Sequence, residues 1–127
     1  MEAALDNCIF CKIAAKQLPA NIVYEDDELM AFKDIKPAAP IHLLVIPKKH
    51  IGSLSDCEAG DHELLGKMLA LVPKLAAEHG VAPVGDETGP FSGGYKTLIN
   101  TGPEGGQEVY HLHAHLLAGP RPWTLDR

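Results

Sequence analysis

The sequence predicts an α+β fold built around an antiparallel sheet. Two observations carry this: five β-patterned stretches joined partly by short turns, and one long helical stretch with a single short companion. At 127 residues the chain fits one domain, residues 1 to 127, with enough length to bury a real core.

"CIFCKIAAKQLPA" (residues 8 to 20) opens with a short helical pattern. Ile9, Phe10 and Ile13 fall at helix spacing, and Pro19 is expected to stop it. "NIVYE" and "LMAFKDI" follow as two strands around the acidic turn Asp26-Asp27-Glu28, a hairpin pattern. The prolines of "KPAAP" hold the next piece extended. "IHLLVIP" (41 to 47) is apolar on both faces and reads as a central strand, interrupted by His42.

Residues 61 to 79, "DHELLGKMLALVPKLAAEH", form the long helix. Leu64, Leu65, Met68, Leu71, Val72 and Leu75 make its apolar stripe, and Gly80 suits the C-terminal cap. Pro73 deletes the bond to the Leu69 carbonyl, so a kink or break is expected there. "GVAPVGDETGPFSGG" (80 to 94) reads as a long surface loop. "YKTLIN" and "EVYHLHAHLLA" are the last two strands, joined by "TGPEGGQ".

Eleven basic against seventeen acidic side chains leave a net charge of −6, which argues against a broad nucleic-acid footprint. A small anion held locally by backbone N–H groups stays compatible with that charge. No apolar run approaches the roughly 20 residues that cross a bilayer, and the N-terminus carries acidic residues where a signal peptide carries basic ones. The expectation is a soluble, cytoplasmic protein with neither membrane nor nucleic acid as partner. Three cysteines, Cys8, Cys11 and Cys57, do not make a disulfide framework. Cys8-x-x-Cys11 is open to three readings: a redox pair, half of a metal site, or two small buried residues.

The chemistry concentrates in "YHLHAHLLAG" (110 to 119). In a strand, Val109, His111, His113, His115 and Leu117 share one face, with histidines about 6.7 Å apart. Tyr110, Leu112, Ala114 and Leu116 share the other face and are expected in the core. Such an array either aims imidazoles at zinc or makes one histidine a nucleophile whose neighbours handle protons and charge. The preceding "NTGPEGGQ" favours the second. Gly105 and Gly106 let consecutive amides form an anion-binding concavity, and Asn100 and Gln107 add side-chain donors.

"HLHAH" followed by two apolar residues resembles the signature of the histidine triad superfamily. With "CIFCKI", "VYEDDELMAFKDIKPAAPIHLLVIPKKHI", "LLGKM", "NTGPEGGQEVYHLHAHLLAG" and "PRPW", the chain is similar to the branch of histidine triad nucleotide-binding proteins. The resemblance covers most of the chain, apart from the 80 to 94 loop. It implies a five-stranded antiparallel sheet extended across a homodimer, and hydrolysis of purine nucleoside 5′-phosphoramidates to a monophosphate such as AMP and an amine. Related triad chemistry on dinucleoside polyphosphates or adenylylated molecules, and a nucleotide-binding scaffold with residual activity, are the alternatives.

By motif position the resemblance makes His113 the nucleophile, His115 a phosphate contact with Asn100 and the Gly106–Gln107 region, and His42 a supporting histidine. Asp34 would bind the ribose hydroxyls. Ile9, Phe10, Ile13, Phe32 and Ile35 would form the slot for the base. Glu108 departs from the animal members of the branch, which carry serine there; as an ionised acceptor it cannot donate to phosphate. Cys8 and Cys11 resemble the zinc-binding members, in which two thiolates join two histidines, here His50 and His111, in a closed structural site. No metal is expected in catalysis itself. Trp123 would lie near the partner subunit's active site. His62, His79 and Cys57 carry no expected role.

Overall fold

The computed structural model describes residues 7–121 and Trp123. Two α-helices, α1 (Ile9–Ala14) and α2 (His62–Glu78), flank a sheet of five strands. These are β1 (Ile22–Glu25), β2 (Leu29–Lys33), β3 (Ile41–Pro47), β6 (Tyr95–Leu98) and β7 (Ala114–Ala118). Their order is β1-β2-β3-β7-β6, antiparallel throughout. The expected α+β fold with its five-stranded antiparallel sheet is therefore present, with β3 at the centre as its two-sided apolar pattern requires.

Alternation along the strands divides the core in two. Leu29 and Ala31, Leu43 and Val45, and Leu112, Ala114 and Leu116 face α2, where Met68, Leu71, Val72 and Leu75 complete the larger cluster. Met30 and Phe32, with Leu44 and Ile46, face the other way and pack with Cys8, Phe10, Cys11 and Ile13 of the α1 segment. The register sets Leu44 opposite His115 and His42 opposite Leu117. Side chains directly opposite share a face, so His42 and His115 lie on the α1 side of the sheet.

Several expectations change. The short helix ends before Pro19: Lys16 takes a left-handed φ of 62°. The amides of Lys16 and Gln17 then bond the carbonyls of Ile13 and Lys12 at 3.0 and 2.8 Å, a Schellman closure without glycine. Pro73 does not break α2, because Leu69 and Pro73 both lie on its exposed face, where water can satisfy the released carbonyl. Gly80 closes α2 as expected: its φ is 72°, and Gly80 and Val81 bond the carbonyls of Ala77 and Ala76. Residues 80 to 94 are not all loop, since β4 (Val84–Gly85) and β5 (Phe91–Ser92) pair as a small hairpin. Regular pairing of the last strand begins only at Ala114, and Tyr110 is accordingly half exposed rather than in the core.

Candidate active site and metal cluster

All three histidines of the motif are buried, yet they face different partners. His111 turns its ring toward the start of α1. Its Nε2 lies 2.7 Å from the Pro47 carbonyl, a bond only an N–H can make, so Nδ1 carries the lone pair. That Nδ1 sits 3.3 Å from Cys8 Sγ, 3.5 Å from Cys11 Sγ and 3.3 Å from His50 Nδ1, while Cys11 Sγ lies 3.2 Å from His50 Nδ1. All four ligand atoms fall within 4.8 Å of one another. Burial pushes the His111 imidazole down from 6.5 to about 4, which keeps the lone pair available at neutral pH.

These distances can be tested against a metal. Zinc bonds of about 2.0 Å to nitrogen and about 2.3 Å to sulfur imply tetrahedral edges of about 3.3 Å for N···N and about 3.5 Å for N···S. The four separations given above match those edges to within a few tenths of an ångström, and the Pro47 carbonyl supplies the outer hydrogen bond that would fix a ligating imidazole. The donor set fits a closed structural site. The same geometry rules against one metal held by all three motif histidines: neither metal-competent cluster among the described residues contains His111, His113 and His115 together.

His113 is set differently. Its Nδ1 lies 2.7 Å from the His111 carbonyl and must carry the hydrogen, leaving Nε2 with the lone pair. Phe10 from α1 packs edge-on against this ring with centroids 5.2 Å apart. One residue thus serves both centres: the His111 side chain joins the cysteines and its backbone oxygen fixes the next histidine.

A second tautomer chain runs through His42. The Ala38 amide donates to His42 Nδ1 at 3.0 Å, so the hydrogen of neutral His42 is on Nε2. That nitrogen is 2.9 Å from His115 Nδ1, which makes His115 Nδ1 the acceptor and leaves the His115 hydrogen on Nε2. Asp34 Oδ2 lies 3.5 Å from the same His42 nitrogen. The rings of His113 and His115 are 4.9 Å apart, so a lone-pair nitrogen and an N–H-bearing imidazole sit side by side.

Both line a cleft of about 340 Å³, within the usual range for a small-molecule site. Phe10, Ile13, Phe32 and Leu44 form its apolar wall, and Ile9 and Ile35 form an exposed lip, with Ile35 91% exposed. Asp34, Asn100, Gly106 and Glu108 also line it. Every expected cleft residue except His42 and Gln107 is on the lining, and His42 stands one shell behind through His115.

Gln107 has a different task from the expected one. It is buried; its Oε1 accepts from the Gly102 amide at 2.9 Å, and its Nε2 donates to the carbonyls of Gly52 and Val109 at 2.7 and 3.1 Å. The glycine loop likewise bonds itself: the amides of Gly105, Gly106 and Gln107 donate to Gly102, Pro103 and Gly102 at 3.2, 3.1 and 3.0 Å. Asn100 Nδ2 reaches the Gly105 carbonyl at 2.8 Å. Gly105 is required sterically, since a Cβ there would meet the Thr101 oxygen at 2.2 Å. The concavity is thus closed by its own turn, and Gln107 is its strut.

Trp123 lines a separate cavity of about 680 Å³, with Tyr95 and Lys96; it donates to the Gly119 carbonyl at 3.1 Å and stacks under Arg121 at 4.3 Å. His62, at the start of α2, is exposed, whereas His79, just past its end, is half-buried with Nδ1 2.9 Å from the Leu75 carbonyl. Burial raises the Cys57 thiol above its ordinary pKa, which disfavours the reactive thiolate. The sequence reading missed Leu18, Pro19, Ala20, Lys33, Lys36, Leu44 and Val109 on the cleft lining. It also missed the backbone groups of Ala38, Pro47 and His111 that set the tautomers, for which a sequence carries no side-chain signal.

Comparison with known proteins agrees with this geometry. Residues 7–124 match the family model described as scavenger mRNA decapping enzyme C-term binding. Protein HitA of Neisseria gonorrhoeae is 53% identical over 116 residues, covering 91% of this chain and 99% of HitA. The purine nucleoside phosphoramidase of Escherichia coli K12 is 41% identical over 114 residues, covering 90% and 88% respectively. Among solved structures, a HIT family hydrolase from Legionella pneumophila matches with TM-score 0.80 at 47% identity, covering 91% of this chain and 95% of the other. A histidine triad protein from Clostridium difficile matches with TM-score 0.82 at 41% identity, covering 99% and 100%. The chain belongs to the histidine triad family. Within it, the chain stands with the hydrolases. No helix among the described residues is long and apolar enough to cross a membrane.

Proposed function

We propose that the protein hydrolyses purine nucleoside 5′-phosphoramidates to a nucleoside monophosphate and an amine, with His113 as nucleophile. The observation that carries this reading is the 2.7 Å bond from His113 Nδ1 to the His111 carbonyl, which leaves Nε2 with its lone pair. A neutral imidazole can attack phosphorus without first losing a proton. In the first step a P–Nε2 bond forms and the P–N bond to the amine breaks, the amine taking the His115 Nε2 proton as it leaves. In the second, water attacks phosphorus and gives a proton back to His115 Nε2, and the P–Nε2 bond breaks to release the monophosphate. Before it is transferred, the His115 Nε2–H faces the phosphoryl group. His42 holds that hydrogen in place and can share the charge. Asp34 at the rim suits two vicinal ribose hydroxyls, and the Phe10, Ile13 and Phe32 wall suits a flat base.

Cys8, Cys11, His50 and His111 would hold a zinc ion as a structural cross-link. Its service is to tie the start of α1 to His111; no step of the reaction needs it. The working form is read as a homodimer, with the sheet continued across the pair, which sedimentation checks directly.

The test is release of amine from an adenosine phosphoramidate. Wild type should turn over with or without a chelator present. His113→Ala should lose at least about a thousand-fold in rate while AMP binding is retained. Loss of turnover on chelation of a still-folded protein would overturn the covalent reading in favour of metal chemistry. Tight AMP binding with no turnover of any phosphoramidate would favour a nucleotide-binding scaffold.

A further inference from the structure

The cleft has a chemical polarity that the nucleotide alone does not use. At the Asp34 end its lining carries Lys33 and Lys36; among the described residues, the wall beside Val109 carries Glu108 and no lysine or arginine. Beyond Glu108 lies an adjoining cavity of about 490 Å³, which shares Ile9, Glu108 and Val109 with the cleft. Its other lining residues are Asn7, Cys8, His50, Gly52, Asp56 and Tyr110. Among the described residues, no lysine or arginine is on this lining. Glu108, Asp56 and Asn7 are exposed, and Tyr110 offers a ring that is 48% exposed. A carboxylate on the shared wall, a second carboxylate and an open aromatic face are what an alkylammonium group binds: charge attraction at two points and a cation–π face at the third.

We infer that this cavity receives the leaving group, and that Glu108 selects phosphoramidates whose amine carries a second, positively charged nitrogen on an alkyl chain. The inference rests on the phosphoramidase reading and names the class of amine it acts on. The base and ribose occupy the Phe10–Asp34 side, phosphorus lies at His113, and the amine's tail extends past Glu108 toward Asp56 and Tyr110. The reacting nitrogen leaves as in any phosphoramidate; only the distal ammonium is read by the carboxylates. Asp56 is partly committed, since its Oδ2 accepts from Ser53 Oγ at 3.0 Å, so Glu108 is the stronger selector.

The probes are two adenosine phosphoramidates of equal chain length, one of n-pentylamine and one of 1,4-diaminobutane attached through a single nitrogen. Wild type should favour the diamine compound in kcat/KM by about five-fold at low salt, the scale of one solvent-exposed charge pair, and the preference should shrink as salt is raised. Glu108→Gln should bring the ratio close to one, and Asp56→Asn should lower it less. The ratio is internal to each variant, so partial loss of fold or rate does not disguise it. Equal kcat/KM for both compounds in wild type, or an unchanged ratio in Glu108→Gln, overturns this inference and leaves the phosphoramidase reading standing. Failure to cleave either compound overturns the phosphoramidase reading and this one with it.

Discussion

In the metal-free protein, a specific acid sensitivity should centre on His111. Its ring is fully buried among Cys8, Cys11 and His50, and burial holds its imidazole at about 4 in the folded chain, against 6.5 for the free side chain. The folded state therefore prefers neutral His111. The associated stability is fully present above pH 6.5 and is lost as pH falls from there toward 4, because the unfolded chain binds the proton first. The gap between 6.5 and about 4, at about 1.4 kcal/mol per pH unit, amounts to about 3 kcal/mol. The assay is urea unfolding of the metal-free protein at steps between pH 8 and pH 4, beside His111→Asn under the same conditions. The difference between the two curves isolates His111 from the carboxylates of Glu25, Asp26, Asp61 and Asp86. Those are held below their ordinary values and act at lower pH. Wild type should lose stability across this window and the variant should lose about 3 kcal/mol less. Parallel curves would refute the claim that His111 is buried as a neutral ring.

The same cluster predicts metal content: protein purified without chelator should hold about one zinc per chain, and Cys11→Ser should lose it. No zinc, with both thiols freely reactive in the native state, would contradict that. Gln107→Ala removes a buried amide that makes three hydrogen bonds, strands the Gly102 amide, and should cost about 2–3 kcal/mol in urea unfolding. His42→Ala removes the donor to His115 Nδ1 and should lower kcat by about a hundred-fold with little change in KM, read by steady-state kinetics.

Much of this architecture was legible because it depends on side-chain pattern. The two-sided apolar run at 41 to 47 predicted the central strand, and the residue bounds agree with β3 (Ile41–Pro47). Alternation placed Leu112, Ala114 and Leu116 in the core against α2. The family resemblance, rather than spacing, pointed to Cys8, Cys11, His50 and His111 as a group, although the first and last lie over a hundred residues apart. Features governed by backbone were not legible. A lysine in the left-handed region ends α1, and a lysine carries no such signal. Pro73, where a kink or break is expected, lies inside a continuous α2, because its exposure there follows from tertiary packing. The glycine pair looked like an anion cradle, whereas its amides are spent on the turn and Gln107 is spent on holding it. The resemblance gave the three histidines different tasks, but not the groups that hold them: His111 turns to the cysteines, His113 is fixed by a carbonyl, and His115 is held by His42.

The central claim is that His113 Nε2 is the atom that bonds phosphorus. Rapid mixing with an adenosine phosphoramidate, followed by quenching and mass spectrometry of the peptide containing residues 110 to 119, tests it directly. The account predicts a transient adenylyl group on His113 that appears before AMP accumulates and is missing in His113→Ala. Turnover with no labelled peptide at any time, or a label on His111 or His115 instead, would contradict it.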